Sequence, residues 1–366
     1  MNEPVKVLEM IASLTYGGSQ AMIVNLCRSM DADKVHCDFI IDHPELSGMK
    51  EIIEGMGSKI YVLPTFTGAN VKEIKKAWDQ FLSEHQDYQI LHSHSRSYAS
   101  IYLPIARKHG LKTIIHSHNT SNGKGFKALV KNVLQYPLRY RADYFFGCSK
   151  EAGEWLFGDK IVNSDRFYVL NNAIDTDRFS FDEKIREEYR KMFGLHDEKV
   201  FIQVGRLSKQ KNSLFTLEIF ARYLKDDPLS RLFMVGNGEL RGELDKKIEE
   251  QGIGDHVRVL EYRNDVQKLL QMADCFLMPS LFEGLSVAAV EAQATGIRCL
   301  LSDRCDSNVN ITGLCEFLPL KEETWVAKMK EEVALRPYVK EAIVKAGFDV
   351  KSTARWLEEF YGSIVG

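Results

Sequence analysis

The sequence predicts an α/β protein built from two doubly wound parallel sheets in tandem. Three observations predict it. Short apolar runs alternate with longer amphipathic stretches, the pattern of strands buried on both faces between covering helices. The pattern restarts after a connector near Asn172 to Phe181. The chain has 366 residues, more than the roughly 250–300 at which a single core stops growing.

The elements follow in order. VKVLEMIA (Val5 to Ala12) reads as a buried strand, LTYGGSQ as a glycine-rich loop and AMIVNLCRSM as a helix. VHCDFIID is a strand, LSGMKEIIEGMG a helix and KIYVLP a strand. NVKEIKKAWDQFLSEH is helical, and YQILHSHS is a strand ending in polar residues. TIIHSHN, YFFGCS and RFYVLNNAI continue as strands between helical segments. In the second half, the connector Asn171 to Leu195 leads into a helix. KVFIQVGRL, SRLFMVGNGE, HVRVLEY, DCFLMPS and IRCLLSD read as strands. SLFTLEIFARYL, LRGELDKKIEEQG, DVQKLLQMA and SVAAVEAQA read as the helices between them. The expected domains are 1–172 and 173–348, with 349–366 a helix that crosses back to the first domain. In open α/β sheets ligands bind outside the carboxyl ends of the strands, so a cleft between two such domains is the expected site.

Composition narrows the class. A formal net charge of −3 gives no electrostatic basis for nucleic-acid binding. The seven cysteines are scattered, odd in number and form no CxxC, as in a reduced cytoplasm rather than a disulfide framework. The first residues lack a basic and apolar leader pattern, and no run of about 18 uncharged apolar residues occurs.

LFEGLSVAAVEAQATG (Leu281 to Gly296) carries Glu283 and Glu291 with seven residues between them. Glu283 falls in the loop after an apolar strand, and the helix begins near Ser286, placing Glu291 just over one turn inside. Eight residues at helical rise span at most about 12 Å, close to the reach of a sugar, a diphosphate and a ribose. Backbone N–H groups at Gly284, Leu285, Ser286 and Val287 suit an anion. One glutamate then holds a sugar diol and the other a ribose diol. In VGRLSKQKN, Arg206 and Lys211 follow Gly205 at a strand's carboxyl end. Two cations there can neutralise a diphosphate and stabilise it as a leaving group.

Other motifs say less. Gly17 and Gly18 allow backbone approach to a phosphate or sugar but form neither GxGxxG nor a Walker loop. His116 and His118 alternate at a strand end and are expected to face opposite sides, as are His92 and His94. Opposite-facing rings make poor metal sites, so no metal is expected. Asp31/Asp33 and Asp175/Asp177 read as capping or connector acids.

The ordered set of motifs resembles glycosyltransferase family 4, a retaining family with the GT-B fold. The matching pieces are the Gly-Gly loop, HSHN, NNAIDTDRF, VGRLSKQKN, VGNGE, ADCFLMPSLFEGLSVAAVEA and LLSD. LEYRNDV and NITGLCEFLPL are similar to capsular and exopolysaccharide glycosyltransferases. The resemblance implies GT-B, two facing Rossmann-like doubly wound domains with an interdomain cleft. The first domain would bind the acceptor and the second the nucleotide sugar. It implies Arg206 and Lys211 on the donor diphosphate, Glu291 on the ribose, and Glu283 on the transferred sugar with amides from Gly284, Leu285 and Ser286. His118 would meet that sugar, Gly17 and Gly18 would line the phosphate region, and Tyr262 and Arg263 would cover the base, with uracil expected. The implied reaction moves a hexose from a UDP-sugar to a saccharide or lipid-linked saccharide acceptor, without cofactor or metal. Glu261 stands where the family commonly has glycine, GIRCLL lacks the usual proline, and RCDSNVNITG replaces a Gly-Gly stretch.

From Arg107 to Arg141 there are eight Lys or Arg and no acid. Lys124, Lys127, Lys131, Arg139 and Arg141 lie there among aromatic and aliphatic residues. Such a segment reads as a membrane-surface helix or as a buried amphipathic helix with a solvated basic face. The expected location is the cytoplasm, with peripheral contact to the inner face of the membrane. Two rivals stand beside the transferase: a nucleotide-sugar epimerase of the same fold, and a non-catalytic sugar-binding protein.

Overall fold

The computed structural model describes residues 3–14, 18–45, 49–118, 132–332 and 335–366. The chain divides into two compact units, Met1–Ala173 with Val350–Gly366, and Ile174–Asp349. The boundaries lie one residue beyond those read from the sequence.

The first unit holds a seven-stranded sheet: β1 (Val5–Met10), β2 (Val35–Ile41), β3 (Ile60–Val62), β4 (Ile90–Ser93), β5 (Lys112–Ser117), β6 (Tyr144–Gly147) and β7 (Phe167–Val169). Its order is β3-β2-β1-β4-β5-β6-β7, and every pair is parallel. The strand order therefore reverses between β1 and β4. A buried apolar layer covers each face, one around Phe39, Ile114 and Phe146, the other around Trp78, Tyr102 and Phe145. Helix Val71–Glu84 shows why: Ile74, Trp78, Phe81 and Leu82 recur at three- and four-residue spacing and all are buried, the stripe that seats a helix on a sheet. The C-terminal helix Val350–Val365 does the same with Leu357, Tyr361 and Ile364. These contacts join the first layer, each large apolar side chain contributing about 1.5–3 kcal/mol. Glu358 of that helix accepts from the Asp31 amide at 2.8 Å and pairs with Lys34 at 3.3 Å.

The second unit holds β8 (Val200–Val204), β9 (Arg231–Val235), β10 (Val257–Leu260), β11 (Cys275–Met278), β12 (Arg298–Ser302) and β13 (Cys315–Leu318). The order is β10-β9-β8-β11-β12-β13, again all parallel, with its reversal between β8 and β11. β13 is absent from the strands read above. Its CEFL segment is short and follows a polar loop, so no periodicity marks it; its pairing with β12 makes it a strand. The connector holds one helical turn, Thr176–Phe179, capped by the Asp175 carboxylate, and then helix Glu183–Met192. Helix Gly18–Arg28 begins at Gly18, so that glycine opens the helix rather than lying in the preceding loop.

Candidate active site

In the second unit, the loop after β8 and the loop after β11 meet because those strands are neighbours where the order reverses, the place where open α/β sheets bind ligands. The Leu281 amide donates to the Gln210 carbonyl at 2.8 Å, and Gln210 Nε2 donates to the Phe282 carbonyl at 3.3 Å. These bonds bring Lys211 Nζ to 2.5 Å from Glu283 Oε2, with side chains 18% and 16% exposed. Lys211 is fixed from behind: Gln203 Nε2 donates to its carbonyl at 3.0 Å, and its amide donates to Ser208 Oγ at 3.3 Å. A Cβ on Gly236 would come within 2.1 Å of the Gly205 carbonyl oxygen. Only glycine there lets the turns after β8 and β9 lie together.

Glu283 is held by the segment that departs from the family pattern. It forms an isolated parallel bridge with Cys305, and its carbonyl accepts from the Asp306 amide at 3.0 Å. Buried Gln293 ties down the same segment. It donates to the Val309 carbonyl at 2.7 Å and accepts from the Ile311 and Thr312 amides at 3.0 and 3.1 Å.

Helix Val287–Ala294 starts after Ser286, whose side chain makes no cap bond. The amides of Gly284, Leu285 and Ser286 donate no hydrogen bond among the described residues, which suits an anion at this helix start. Gly284 is exposed, Leu285 half-buried and Ser286 buried. Glu291 is half-buried one turn further on. Burial pushes its carboxyl up to about 7, opposed by the Arg178 charge.

Other residues sit apart from this pair. Arg206 is exposed and faces Glu239 at 3.3 Å; Lys211 and Arg206 thus have different acidic partners. Tyr262 is 47% exposed. Arg263 donates to both Asp265 oxygens, at 2.8 and 2.6 Å, and Tyr189 donates to the same carboxylate at 2.7 Å.

The first unit gathers its polar groups at the ends of β1, β4 and β5. His94 Nε2 lies 2.8 Å from Glu9 Oε2, and His94 Nδ1 lies 2.8 Å from His118 Nε2. His118 Nδ1 lies 3.4 Å from Asn172 Oδ1. His92 Nδ1 is 2.6 Å from the Tyr361 hydroxyl, which donates to Glu9 Oε1 at 3.2 Å. The rings of His116 and His118 stack with centroids 4.0 Å apart, and those of His92 and His94 at 4.4 Å.

This corrects the expectation that each His-x-His pair faces opposite sides. Residues two apart on a strand point to the same face, and His94 and His118 keep that pattern just past the ends of β4 and β5, so each pair stacks on one side. Burial drives all four imidazoles below their usual range, His94 to about 3. It pushes the Glu9 carboxyl up to about 8. His92, His94 and His116 offer one nitrogen each within 4.8 Å of one another. Both His94 nitrogens already have partners, however, and stacked rings do not aim their lone pairs at one point. The sequence reading missed Glu9, His94 and Asn172. The signal was the His-x-His doublet repeated at the ends of successive strands.

Gly17 lies outside the described residues, as do Lys124, Lys127 and Lys131. Arg139 packs over Tyr136 at 4.8 Å and donates to the Leu156 carbonyl at 3.4 Å. Arg141 is exposed. Val133, Leu134, Tyr136 and Tyr140 are exposed nearby, at 65%, 41%, 55% and 69%. No helix among the described residues is long and apolar enough to cross a membrane.

Two Rossmann-like parallel units in one chain make the GT-B fold. Residues 16–178 match the model described as Glycosyltransferase Family 4, and residues 185–313 match Glycosyl transferases group 1. The chain is 28% identical over 368 residues to a Bacillus subtilis (strain 168) chain carrying the glycosyltransferase name EpsF, covering 97% of this chain and 96% of that one. It is 27% identical over 246 residues to the UDP-Gal:alpha-D-GlcNAc-diphosphoundecaprenol alpha-1,3-galactosyltransferase of Escherichia coli, covering 64% and 62%. The Anabaena protein Alr3699/HepE, solved in complex with UDP, superposes with a TM-score of 0.80 at 14% identity, covering 98% and 100%. The chain belongs to the family 4-like glycosyltransferases.

Proposed function

We propose that this glycosyltransferase moves a hexose from a UDP-sugar to a saccharide or lipid-linked saccharide acceptor, with retention of configuration and without a metal ion, in surface polysaccharide synthesis. The Lys211–Glu283 contact carries the reading. It puts a cation and a carboxylate side by side at the start of a helix with undonated amides. Lys211, helped by Arg206, neutralises the diphosphate as negative charge grows on it. The amides of Gly284, Leu285 and Ser286 assist, and Glu283 accepts from hydroxyls of the transferred sugar. Glu291 accepts from the ribose diol, and Tyr262 and Arg263 cover the uracil. His118 meets the sugar, and Gly18 lines the region of the phosphates. No carboxylate serves as nucleophile; the acceptor attacks on the face the diphosphate leaves.

Uracil is supported by the relative that uses UDP-Gal and the structural neighbour that binds UDP. A lipid-linked acceptor is supported by the diphosphoundecaprenol substrate in that relative's name. The exposed aromatic and basic residues from Val133 to Arg141 suit peripheral contact with an anionic membrane on the cytoplasmic side.

A thermal-shift panel tests the donor, since a ligand preferring the folded state raises its melting point. UDP-hexoses are expected to shift it more than GDP- or ADP-hexoses. A larger shift with a purine nucleotide sugar would overturn the uracil assignment. Loss of transfer in EDTA, restored by a divalent cation, would overturn metal independence.

A further inference from the structure

We propose that Glu9 and His94 are positioning residues that fix the tautomer of His118, keeping its proton on Nδ1 so that the ring offers a donor to the transferred sugar. This deepens the reading of His118 given above and rests on it.

The contacts form one chain. His92 Nδ1 meets the Tyr361 hydroxyl, and that hydroxyl meets Glu9 Oε1. Glu9 Oε2 meets His94 Nε2, His94 Nδ1 meets His118 Nε2, and His118 Nδ1 meets Asn172 Oδ1. One proton per link satisfies every contact in a single direction. His92 Nδ1–H donates to Tyr361, and Tyr361 donates to the Glu9 carbonyl oxygen. The Glu9 acid proton goes to His94 Nε2, His94 Nδ1–H to His118 Nε2, and His118 Nδ1–H to the Asn172 carbonyl.

The reverse direction needs an ionised Glu9. His94 would then give its Nε2–H to the carboxylate and accept from His118 Nε2–H. That leaves a bare His118 Nδ1 facing the Asn172 carbonyl oxygen, two acceptors opposed unless the amide turns over.

The Asn172 carbonyl opposite Nδ1 and the burial of Glu9 favour the first direction, and the rest of the cluster is compatible with it. Glu9 is 2% exposed, and burial pushes its carboxyl up to about 8, so it keeps its proton at neutral pH. The imidazoles are held neutral by burial and by one another. The His118 ring is also fixed in plane, stacked on His116 at 4.0 Å and His94 at 5.1 Å. Its His94 contact is short and its Asn172 contact long, so Nδ1–H is the group a sugar hydroxyl can take over. A histidine in the wrong tautomer keeps its place but loses its chemistry.

Long-range proton–nitrogen spectra of ¹⁵N-histidine-labelled protein read the tautomer directly, with His118→Gln identifying the signal. Wild type is expected to carry the proton on Nδ1. Glu9→Gln should keep it there, because the new amide N–H donates to His94 as the acid does, with kcat for UDP-hexose turnover within about threefold. Glu9→Leu should move the proton toward Nε2 and lower kcat on the order of tenfold or more, with KM changed far less. If Glu9→Leu does not fold, His94→Phe keeps a ring in the stack and gives the same reading. A proton on Nε2 in wild type, an unmoved proton in Glu9→Leu, or equal loss in the Gln and Leu variants overturns the proposal. Unaltered turnover in His118→Ala instead overturns the reading of His118 on which it rests.

Discussion

Lys211 and Glu283 lie 72 positions apart in the chain and meet at 2.5 Å. Each follows a strand that borders the reversal of strand order in its sheet. Neither is deeply buried, so the pair stays within reach of a ligand while being shielded enough to hold its geometry.

Lys211→Ala is expected to weaken UDP binding by about tenfold or more, roughly 1.4 kcal/mol for each factor of ten. Turnover should fall further, on the order of a hundredfold, because charge grows on the diphosphate in the transition state. Calorimetric titration with UDP and a UDP-release assay check it. Donor hydrolysis at the wild-type rate would remove Lys211 from the diphosphate.

Glu283→Gln should separate the two glutamates. Transfer is expected to drop on the order of tenfold to a hundredfold, while affinity for UDP alone stays within about threefold. A matching loss of UDP affinity would give Glu283 the ribose and Glu291 the sugar.

Gln293→Leu removes the groups that hold the segment after β12. The Thr312 amide loses its Gln293 partner, and the Val309 carbonyl and Ile311 amide keep only their bond to each other. Unfolding should become easier by about 2–4 kcal/mol, measured by urea denaturation. Donor turnover should fall as well, since that segment seats Glu283.

Stability is expected to peak near neutral pH. The folded chain keeps a proton on Glu9 up to about 8, while an ordinary carboxyl releases it near 4.5. Between those values folding takes up a proton, so stability falls as pH rises and levels off above about 8. Burial raises this carboxyl, opposed by hydrogen bonds from Tyr361 and Cys27, and His92, His94 and Cys37 also face it. The four histidines act oppositely. Their folded values lie below 6.5, so acidification below that point protonates the unfolded chain preferentially and destabilises the fold. Glu9→Gln should flatten the alkaline limb of a melting-temperature profile and steepen the rise between about 4.5 and 6.5, where Glu9 no longer opposes the histidines. An unchanged alkaline limb would contradict a buried, protonated Glu9.

The protein is expected to sediment with anionic phosphatidylglycerol vesicles and much less with neutral phosphatidylcholine vesicles. Binding should weaken as salt shortens the screening length to about 3 Å at 1 M. Equal pelleting with both vesicles would rule out electrostatic docking through the segment that includes Arg139 and Arg141.

Alternating apolar runs and helices were enough to read two parallel α/β units, because a strand covered on both faces must be apolar throughout its length. The spacing of Glu283 and Glu291 was also readable, since both sit on one loop-to-helix segment whose geometry is local. β13 was not readable, because its four residues become a strand only by pairing with β12.

The sequence by itself therefore determined the fold class and the segments that carry polar groups to the strand ends. Only the tertiary structure decided which groups meet. Strand order brought Lys211 to Glu283 and left Arg206 with Glu239. The expectation of opposite faces was wrong for both histidine doublets, and the pairing of β4 with β5 set them side by side in one stack next to Glu9. Periodicity puts residues two apart on the same side of a strand, but it does not say which strand lies next to it. Neighbouring strands and the helix returning from the C-terminus choose the partner.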